Sequence, residues 1–417
     1  MNKINYKSVP IKRIGKVVTG KTPATAHKEF YDGQYMFISP TELHGGYFVK
    51  KSEKTLTEAG LKSVKSNSID GTSILVGCIG WDMGNVAMCN EKCATNQQIN
   101  SITEIKEEYN PYYVYYWLCG KKEYLFSIAS VTRIPILSKS VFEEVLVPLP
   151  EKKQQDNVVN ILLRIDKKIA LNEQINDNLE QQLMLLYDYW FTQFDFPDND
   201  GNPYQTSGGK MVWNDTLKRN IPENWKVQSV ISNCLSSIIK PGVEIFNTKT
   251  YLATADVKGT SISTGTIVDY DGRESRANMQ PSINSVWFAK MKNSIKHLYL
   301  NKEMQPIISS SILSTGFYGL QCKEISFEYI ASYVSNAYFE IHKDMLAHGA
   351  TQEAVNNDDL TGVHIIIPED TVLRAYHETT QAIYAQISKN ICENQELVKL
   401  RDWLLPMLMN GQATISD

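Results

Sequence analysis

The sequence has few of the features that mark secreted, membrane or metal-binding proteins. Its seven cysteines are an odd number without a Cys-x-x-Cys pair, and Cys89-x3-Cys93 has no second Cys or His pair nearby to complete a zinc site. We interpret them as reduced thiols and expect no metal centre in this chain. No apolar run approaches the roughly 18 residues that span a bilayer, and the start of the chain does not resemble a secretion signal. A cytoplasmic protein without a membrane partner is therefore expected.

Motifs of enzymes that act on nucleic acids are also missing, since the sequence has no P-loop and no nucleophile elbow. Asn110-Pro111-Tyr112-Tyr113 is similar to the base-holding loop of amino-methyltransferases, but Tyr112 stands where a second proline is needed. We prefer a helix that begins at Pro111 and buries its aromatic face. Glu151-Lys-Lys153 and Asp166-Lys-Lys168 have the carboxylate-x-Lys spacing of a nuclease but no partner carboxylate, so we interpret both as solvated surface charge. No catalytic residue is predicted.

The composition is that of an ordinary globular protein. The chain has 417 residues, of which 42% are hydrophobic and 21% charged, and this length predicts two to four domains. The net charge is -4, but residues 1–150 carry 18 Lys and Arg against 14 Asp and Glu. Bulk charge therefore permits nucleic-acid binding without predicting it, and a local patch would have to provide the contacts.

An internal repeat with a spacing of 218 residues is the most informative feature. Val147-Pro-Leu-Pro150 matches Ile365-Ile-Ile-Pro368, and the match continues without a gap through Asn172 on Asn390. Weaker matches place Val9 to Ile14 on Trp225 to Val230, and Thr132-Arg133 on Thr351-Gln352 after a shift of one residue. This period is too long for a solenoid and predicts two copies of a globular domain followed by a helix.

Each segment after the prolines, 151–195 and 368–412, is predicted to be one long helix, because apolar residues recur at the 4,3 spacing of a heptad seam. About 40 helical residues give a rod of about 60 Å. The second seam is poorer at its end, where Leu400 is an alternative to Arg401. We favour antiparallel pairing of the two helices within one chain, with association between chains as the alternative.

The asparagines of the two seams define a register. A constant sum of residue numbers of 566 sets Asn172 against Asn394 and Asn176 against Asn390, and it places apolar residues opposite apolar residues. The alternative is that these asparagines lie on an exposed edge. The helix-pairing residues of this register are Ile165, Ile169, Asn172, Asn176, Leu179, Leu183, Ile383, Ile387, Asn390, Asn394 and Leu397.

The globular parts, 1–150 and 222–367, mix short alternating runs with helical stretches such as 111–126 and 327–345, a pattern typical of α+β domains. The joint at 196–221 is rich in turn-forming residues and predicts an ordered linker. The predicted fold class is thus α+β, with two similar globular domains joined and separated by two long antiparallel helices in a pseudo-twofold repeat.

Polar side chains suited to DNA contacts occur on predicted loops. Amide groups can present paired donors and acceptors to adenine edges, and arginine can bind guanine or phosphate. An Arg or Gln on the surface often has no binding role, so each of the residues named next is only a candidate for a DNA contact. The DNA-binding candidates are Lys21, Thr22, Asn96, Gln97, Gln98, Arg133, Lys240, Arg273, Arg276 and Gln352.

Several strings, together with this arrangement, resemble the specificity subunit of type I restriction-modification systems. They are Trp190-Phe-Thr-Gln-Phe-Asp-Phe196, Ser207-Gly-Gly-Lys-Met-Val-Trp213, Ile221-Pro-Glu-Asn-Trp225, Asn394-Gln-Glu-Leu-Val-Lys-Leu-Arg-Asp402 and Leu404-Leu-Pro-Met-Leu408 with Gly411. The resemblance covers the joint and the helices, and the arrangement covers the whole chain. Copy one departs from it, because it lacks the Ile-Pro-x-x-Trp string that precedes the first strand of copy two.

The resemblance implies two target recognition domains that each read half of a bipartite site in double-stranded DNA. It implies two methyltransferase subunits and a restriction or translocase subunit as partners, with S-adenosylmethionine, ATP and Mg on those chains and no catalysis here. A fused DNA adenine methyltransferase or nuclease, and a coiled-coil scaffold that does not bind DNA, are the alternatives. The base sequence that the domains read does not follow from the resemblance.

Overall fold

The computed structural model describes residues 6–44, 46–131, 133–349 and 352–412. The chain forms two compact units. The first unit takes residues 1–167 together with 399–417, and the second takes residues 168–398. Each unit therefore contains one globular part and a portion of each long helix, a grouping that differs from the five consecutive segments predicted above.

The first unit contains two four-stranded sheets. In one of them Ser73–Gly77 is a central strand, and all five of its residues are buried, as expected of a strand that is covered on both faces. That sheet is antiparallel throughout, in the order Lys16–Thr19, Ile99–Thr103, Ser73–Gly77, Val86–Cys89. The second sheet is mixed, with a parallel pair at its centre, in the order Lys54–Leu56, Tyr31–Ile38, Cys93–Thr95, Ser68–Ile69.

The second unit repeats this topology. Its antiparallel sheet has the order Ser236–Ile238, Phe317–Cys322, Ser285–Ala289, His297–Leu300. Its mixed sheet, again with a central parallel pair, has the order Thr266–Val268, Lys249–Leu252, Ser311–Ser314, Ala277–Met279. Because the strand order and the strand directions agree in all eight strands, the internal repeat predicted from the sequence is a repeat of structure.

The first strand of each copy pairs with the strand that precedes the prolines. Lys7–Pro10 pairs antiparallel with Leu146–Leu149, and Lys226–Ser229 with His364–Ile367. The Ile11 N–H donates to Val145 O at 3.0 Å, and the Val230 N–H donates to Val363 O at 2.8 Å. Ile11 therefore matches Val230, and the prediction that it matches Val227 was wrong by three residues. Copy one has this strand although it lacks the Ile-Pro-x-x-Trp string.

The aromatic helix of the first unit begins as the sequence predicts. Pro111 occupies its first turn, and the Asn110 side chain caps it by accepting from the Tyr112 N–H at 2.9 Å. Tyr113 and Tyr116 are fully buried, which confirms the structural interpretation of this segment. The helix ends at Cys119, however, and a separate helix Lys122–Ser127 follows.

The second copy also divides its predicted helix, into Phe327–Ser335 and Ala337–Leu346, with Asn336 as the cap between them. The remaining α-helices are Ile11–Ile14, Glu58–Ser63, Lys139–Glu143, Gln305–Ser310 and Asn357–Leu360. Short hairpins join Ser130–Val131 to Pro135–Ile136 and Val257–Lys258 to Ser261–Ile262. Single 3-10 turns cover Lys28–Phe30, Pro40–His44, Lys65–Asn67, Thr254–Asp256, Lys302–Met304 and Glu324–Ser326.

The two long helices are present. The central helix spans Lys152–Tyr187 and continues as a π-helical turn, Asp188–Thr192. The helical segment therefore ends three residues before the predicted end at 195. The C-terminal helix spans Asp370–Met409, with Pro406 in its last turns. None of the helices in the described ranges is long and apolar enough to cross a membrane.

Hydrophobic cores bind the helices to the sheets within each unit. In the first unit, Val158 and Leu162 of the central helix and Leu408 of the C-terminal helix belong to one cluster with the aromatic helix. In the second unit, the corresponding cluster includes residues from both long helices and from the segment 196–225. The predicted linker contains the hairpin Met211–Asn214 with Arg219–Pro222, and Ile221 is buried in that core.

Candidate nucleic-acid interface

The loop that follows the edge strand Lys16–Thr19 carries the first predicted DNA contacts. Lys21 is exposed, and the Thr22 hydroxyl donates to Oε1 of Gln97 at 2.8 Å. Gly20 makes this approach possible, because a Cβ there would lie 2.1 Å from Asn96 O. The structure thus brings the loop at 20–22 and the loop at 96–98 together, although they are far apart in the sequence.

Asn96 and Gln98 orient each other. The Asn96 amide donates to Oε1 of Gln98 at 2.9 Å, and the Gln98 backbone N–H donates to Oδ1 of Asn96 at 3.0 Å. This mutual bonding fixes the Gln98 side chain before any ligand binds, which reduces the entropy lost on binding. Gln97 is exposed beside them.

Gln98 lines an open cleft of about 390 Å³ on the first unit. Hydroxyl and amide groups from three loops face this cleft, and the exposed indole of Trp81 forms part of its wall. Trp81 was not among the predicted contact residues. The signal that points to it is an aromatic residue between two glycines, Gly80-Trp-Asp-Met-Gly84, in a loop that joins two buried strands. The cleft is lined by Ser39, Pro40, Thr41, Gly77, Ile79, Gly80, Trp81, Asp82, Asn85 and Gln98.

Ion pairs and hydrogen bonds of Asp82 and Asn85 hold the Trp81 loop in place. Asp82 accepts from Lys122 Nζ at 2.7 Å and lies 2.8 Å from His44 Nε2. The Lys122 ammonium also donates to Oδ1 of Asn85 at 3.0 Å. The hydrogen bond and charge of Lys122 lower the pKa of Asp82, and burial opposes this only in part. The loop therefore presents a compensated carboxylate, which reduces its repulsion of a polyanion.

Arg133 is exposed on a loop that is bonded to the Trp81 loop. The Gly80 N–H donates to Pro135 O at 3.0 Å, and the Leu137 N–H donates to Cys78 O at 2.8 Å. Arg133 thus lies on a turn whose following strand is hydrogen-bonded to the segment that leads into the Trp81 loop.

The same bonds in the second unit correct the predicted match of Arg133 with Gln352. There the Lys292 N–H donates to Glu353 O and the Val355 N–H donates to Lys290 O, both at 3.0 Å. Pro135 therefore matches Glu353 at the constant spacing of 218, so Gln352 matches Ile134 and the predicted shift of one residue was wrong. Thr132 and Thr351, the other pair in that prediction, lie outside the described residues.

Lys240 and Arg276 lie on two segments of the second unit that a backbone hydrogen bond joins. Lys240 follows the edge strand Ser236–Ile238, and the Gly242 N–H in the same loop donates to Asn278 O at 2.8 Å. Both cationic side chains are exposed. Arg273 is more restricted, because its guanidinium stacks 3.9 Å from the centroid of the Tyr270 ring and donates to the Tyr270 carbonyl.

Gln352 is exposed on a loop that backbone bonds connect to Arg276. The Thr315 N–H donates to Arg276 O at 2.8 Å, and the Lys290 N–H donates to Gly316 O at 2.9 Å. Lys290 also accepts from Val355, three residues after Gln352. Beside Gln352, Lys292 pairs with Glu353 at 2.7 Å. Cations and amides of the second unit therefore occupy one group of connected loops.

The asparagines of the long helices hydrogen-bond in the register that the sum of 566 requires. The Asn172 amide donates to Oδ1 of Asn394 at 2.9 Å, and the Asn390 amide donates to Oδ1 of Asn176 at 2.7 Å. Asn172 is only 1% exposed. The alternative of an exposed edge was therefore wrong. All four lie within the second unit.

Apolar seam residues flank these amides. Leu183 and Ile387 are buried in the core of the second unit, with Leu179 and Ile383 packed against it. Ile169 and Leu397 are half-buried, and Ile165 is buried within the first unit. Glu393 also accepts from Asn172, at 2.7 Å, and pairs with Lys168 at 3.1 Å.

Asp166 is a correction to the sequence analysis, which assigned it to the solvated surface. Its carboxylate is buried, accepts from the Tyr116 hydroxyl at 2.6 Å and pairs with Arg401 at 3.1 Å. Arg401 thus faces inward, and Leu400, the alternative at this seam position, is exposed. This pair is not visible in the local pattern, because a heptad pattern does not distinguish a buried carboxylate from a solvated one.

Among the described residues, no three His, Cys, Asp or Glu side chains are grouped closely enough to hold a metal ion. The seven cysteines are free thiols. Both groups of loops instead offer amides, hydroxyls and cations on small, braced turns, which is the chemistry that reads base edges and phosphates in duplex DNA.

Comparisons with known proteins agree with this arrangement. The family model for the type I restriction modification DNA specificity domain matches residues 3–181. The type I restriction enzyme MjaIX specificity subunit of Methanocaldococcus jannaschii is 26% identical over 98% of this chain and 93% of its own length. The HindI specificity subunit of Haemophilus influenzae is 30% identical over 34% of this chain and 31% of its own length.

A solved structure has the same fold. It is the S subunit of a type I restriction-modification system from M. genitalium, with a TM-score of 0.52, 14% identity, and coverage of 98% of this chain and 97% of that chain. The sequence matches confirm the resemblance that the joint and helix strings predicted, and this solved structure confirms the predicted fold.

Proposed function

The chain carries a type I restriction modification DNA specificity domain and is similar to a type I specificity subunit along nearly its whole length, and on this premise we propose that it recognises DNA for a type I restriction-modification complex. Each globular part reads one half of a bipartite site in double-stranded DNA. The two halves differ in sequence, so the whole site is asymmetric.

The observation that carries this proposal is a shared strand order with unlike loops. The braced loops of the first unit present Gln98 and Arg133, whereas the connected loops of the second unit present Arg276 and Gln352. Base edges are distinguished by the pattern of donors and acceptors that a protein offers them. Two copies of one scaffold with different side chains are therefore suited to two different half-sites.

In this scheme the chain is not an enzyme. Two methyltransferase subunits and a restriction or translocase subunit supply catalysis, and S-adenosylmethionine, ATP and Mg belong to those partners. The long helices provide the binding surface for the methyltransferase subunits. Leu171 and Leu185 on the central helix and Trp403 on the C-terminal helix support this role, because large apolar side chains exposed on helices suit a protein partner. The helices also set the spacer between the half-sites.

The test is to express the chain with its methyltransferase subunit in a host that lacks other methylation and to sequence the methylome. We expect methylation at one bipartite, asymmetric motif. The chain alone should bind DNA weakly and without sequence preference, because its near-neutral charge gives little affinity from counterion release. Equal sequence preference with and without the methyltransferase would contradict this part of the proposal.

Two alternatives predict other outcomes. A fused DNA adenine methyltransferase or nuclease would modify or cut DNA when the chain alone is incubated with DNA and labelled cofactor. A scaffold that does not bind DNA would leave the methylation motif of the complex independent of the chain and would show no salt-dependent DNA binding.

A further inference from the structure

The indole of Trp81 lies in solvent on a loop that the rest of the first unit holds in place. The side chain is 69% exposed. The Phe126 ring lies 6.1 Å away between ring centroids. A large apolar ring with most of its surface in water contributes little to the fold, and such rings contribute strongly to binding when a partner covers them.

The Trp81 loop is rigid in its backbone. The Gly84 N–H donates to Gly77 O at 2.8 Å, which closes the loop, and Met83 is buried beneath it. Gly80 and Gly84 have φ values of 104° and 87°, a region that favours glycine. A Cβ at Gly84 would also lie 3.0 Å from the Lys122 Cα. Because the backbone is fixed in this way, the indole is displayed at a defined position.

The groups around the indole match the edge of a base pair. Ser39 and Thr41, which carry hydroxyl groups, line the same cleft. The Gln98 amide is already oriented by its hydrogen bonds with Asn96. In the major groove, thymine presents a methyl group beside a carbonyl acceptor, and adenine presents a donor beside an acceptor. An apolar ring next to an oriented amide is complementary to that combination.

Charge favours a polyanion as the occupant of the cleft, and the proposed function makes that polyanion DNA. Among the described residues that line the cleft, Asp82 is the only acidic one, and it is paired with both Lys122 and His44. The neighbouring loops add the exposed cations Lys21 and Arg133. The cleft is also continuous with the loops that we propose as DNA contacts.

We propose that Trp81 is a specificity-determining residue for one half-site, where its indole packs on the 5-methyl group of a thymine in the major groove while Gln98 hydrogen-bonds an adjoining base. This inference rests on the proposed DNA-recognition function and names a residue and a base feature within it. No covalent step is involved.

The second copy has a counterpart that makes the inference testable by half-site. The loop between Ser285–Ala289 and His297–Leu300 joins the same two strands of the matching sheet, and its Ile295 is 62% exposed. Trp213, which is 59% exposed in the strand Met211–Asn214, provides a control of the same residue type outside these loops.

The experiment uses the assembled methyltransferase complex and a library of DNA duplexes with randomised half-sites. For W81A we expect about a tenfold loss of preference at one thymine-containing base pair, with little change in the other half-site. I295A should act only on the half-site that W81A leaves intact, and W213A should leave both unchanged. W81F should retain more preference than W81A.

Replacement of thymine by uracil at the affected position separates the methyl contact from other effects. The wild-type complex should lose as much preference on the uracil duplex as W81A loses on the thymine duplex, and W81A should lose nothing further. Unchanged preference in W81A, or an even loss over all positions at unchanged thermal stability, would overturn the inference. A wild-type complex without any sequence preference would instead overturn the proposed function itself.

Discussion

The guanidinium of Arg401 lies 3.1 Å from the carboxylate of Asp166, which is only 4% exposed. Burial alone would lower the pKa of Arg401, but the charges of Asp166 and Asp402 outweigh burial and hold it above its ordinary value. The Tyr116 hydroxyl donates to the second oxygen of Asp166. Within the first unit, this buried pair therefore joins the C-terminal helix, the central helix and the aromatic helix.

Breaking the pair from one side should be costly. R401M leaves the Asp166 carboxylate buried without its cation, and we expect a loss of about 3 to 5 kcal/mol in the stability of the first unit. The loss is measured by urea unfolding, with hydrogen exchange in the helix Pro111–Cys119 as a local readout. R374M, at an exposed position of the same C-terminal helix, is the control and should change stability little.

A second variant separates charge from packing. If the cost of R401M comes from an unpaired buried charge, removing the carboxylate as well, in the D166L/R401M double variant, should restore much of the lost stability. A double variant that is as unstable as the sum of D166L and R401M would show that the two side chains do not act as a pair.

At the corresponding position, the second unit has uncharged side chains in place of a buried ion pair. The repeat places Tyr384 at the position of Asp166, and there the Ser332 hydroxyl lies 2.9 Å from the hydroxyls of both Tyr384 and Tyr376. A neutral network of hydroxyls thus replaces the ion pair. The same backbone scaffold therefore tolerates different polar cores, provided that each buried group finds a partner.

The long helices and the asparagine register could be predicted because both depend on local periodicity and on the need to pair buried amides. Asp166 could not, since its partner Arg401 is 235 residues away and nothing in the local pattern distinguishes it from Lys167 or Lys168. Trp81 was missed for a similar reason. Its exposure depends on a loop conformation that tertiary bonds impose.

The predicted loop matches failed where they relied on single residues. Arg133 was aligned with Gln352 by residue similarity over two positions, and the backbone bonds at Pro135 and Glu353 show a register that differs by one. Surface loops carry little packing information, so similarity of side chains there is a weak guide to structural equivalence.

The asparagine register predicts which cysteine pairs form disulfides. In a variant with cysteines in place of Asn172 and Asn394, oxidation should crosslink the two helices readily, because these side chains are in direct hydrogen-bond contact. Pairs that join position 172 to 387 or 401 should crosslink poorly. The measurement is the fraction of crosslinked chain after mild oxidation and proteolysis between the helices. Efficient crosslinking of 172 to either alternative would refute this register.

Loss of one buried amide should destabilise the helix pair. N176L leaves the Asn390 amide without its acceptor in a buried position, at an expected cost of about 1 to 3 kcal/mol. The double variant N176L/N390L replaces both amides by apolar groups and should recover stability. Hydrogen exchange of the central helix provides the readout, and equal protection in N176L and the wild type would contradict the prediction.

Arg133 and Gln352 should each affect recognition in only one half-site. If either side chain reads a base edge, replacement by alanine should cost about 1 to 3 kcal/mol of discrimination at one base position. The methylation motif of the complex with R133A or Q352A measures this directly. An even loss across all positions would indicate a phosphate contact instead. Gln352 matches Ile134 in the structural repeat, so the variant I134A serves as the control for the position in copy one that corresponds to Gln352.

The buried network of Glu340 predicts how the second unit responds to acid. Glu340 accepts from Lys343 at 2.6 Å and lies 2.8 Å from His297, and Lys343 is 0% exposed. Burial raises the pKa of Glu340, but the hydrogen bonds from His297 and Lys343 outweigh burial, so the pKa lies below its ordinary value of 4.5. The folded carboxylate therefore resists protonation more than the unfolded one does.

The sign of the effect follows from this difference. The stability that ionised Glu340 contributes is fully present above pH 4.5 and is lost as the pH falls through its lower, folded-state pKa. We expect the unfolding free energy of the second unit to fall more steeply below pH 4.5 in the wild type than in E340Q, measured by urea unfolding at a series of pH values. E340Q should also be about 3 kcal/mol less stable at pH 7, because the buried Lys343 ammonium loses its nearer anion at 2.6 Å and keeps only Asp344 at 3.6 Å. E369Q, at an exposed position, serves as control, and an E340Q pH profile parallel to that of the wild type would show that this carboxylate does not carry the acid response.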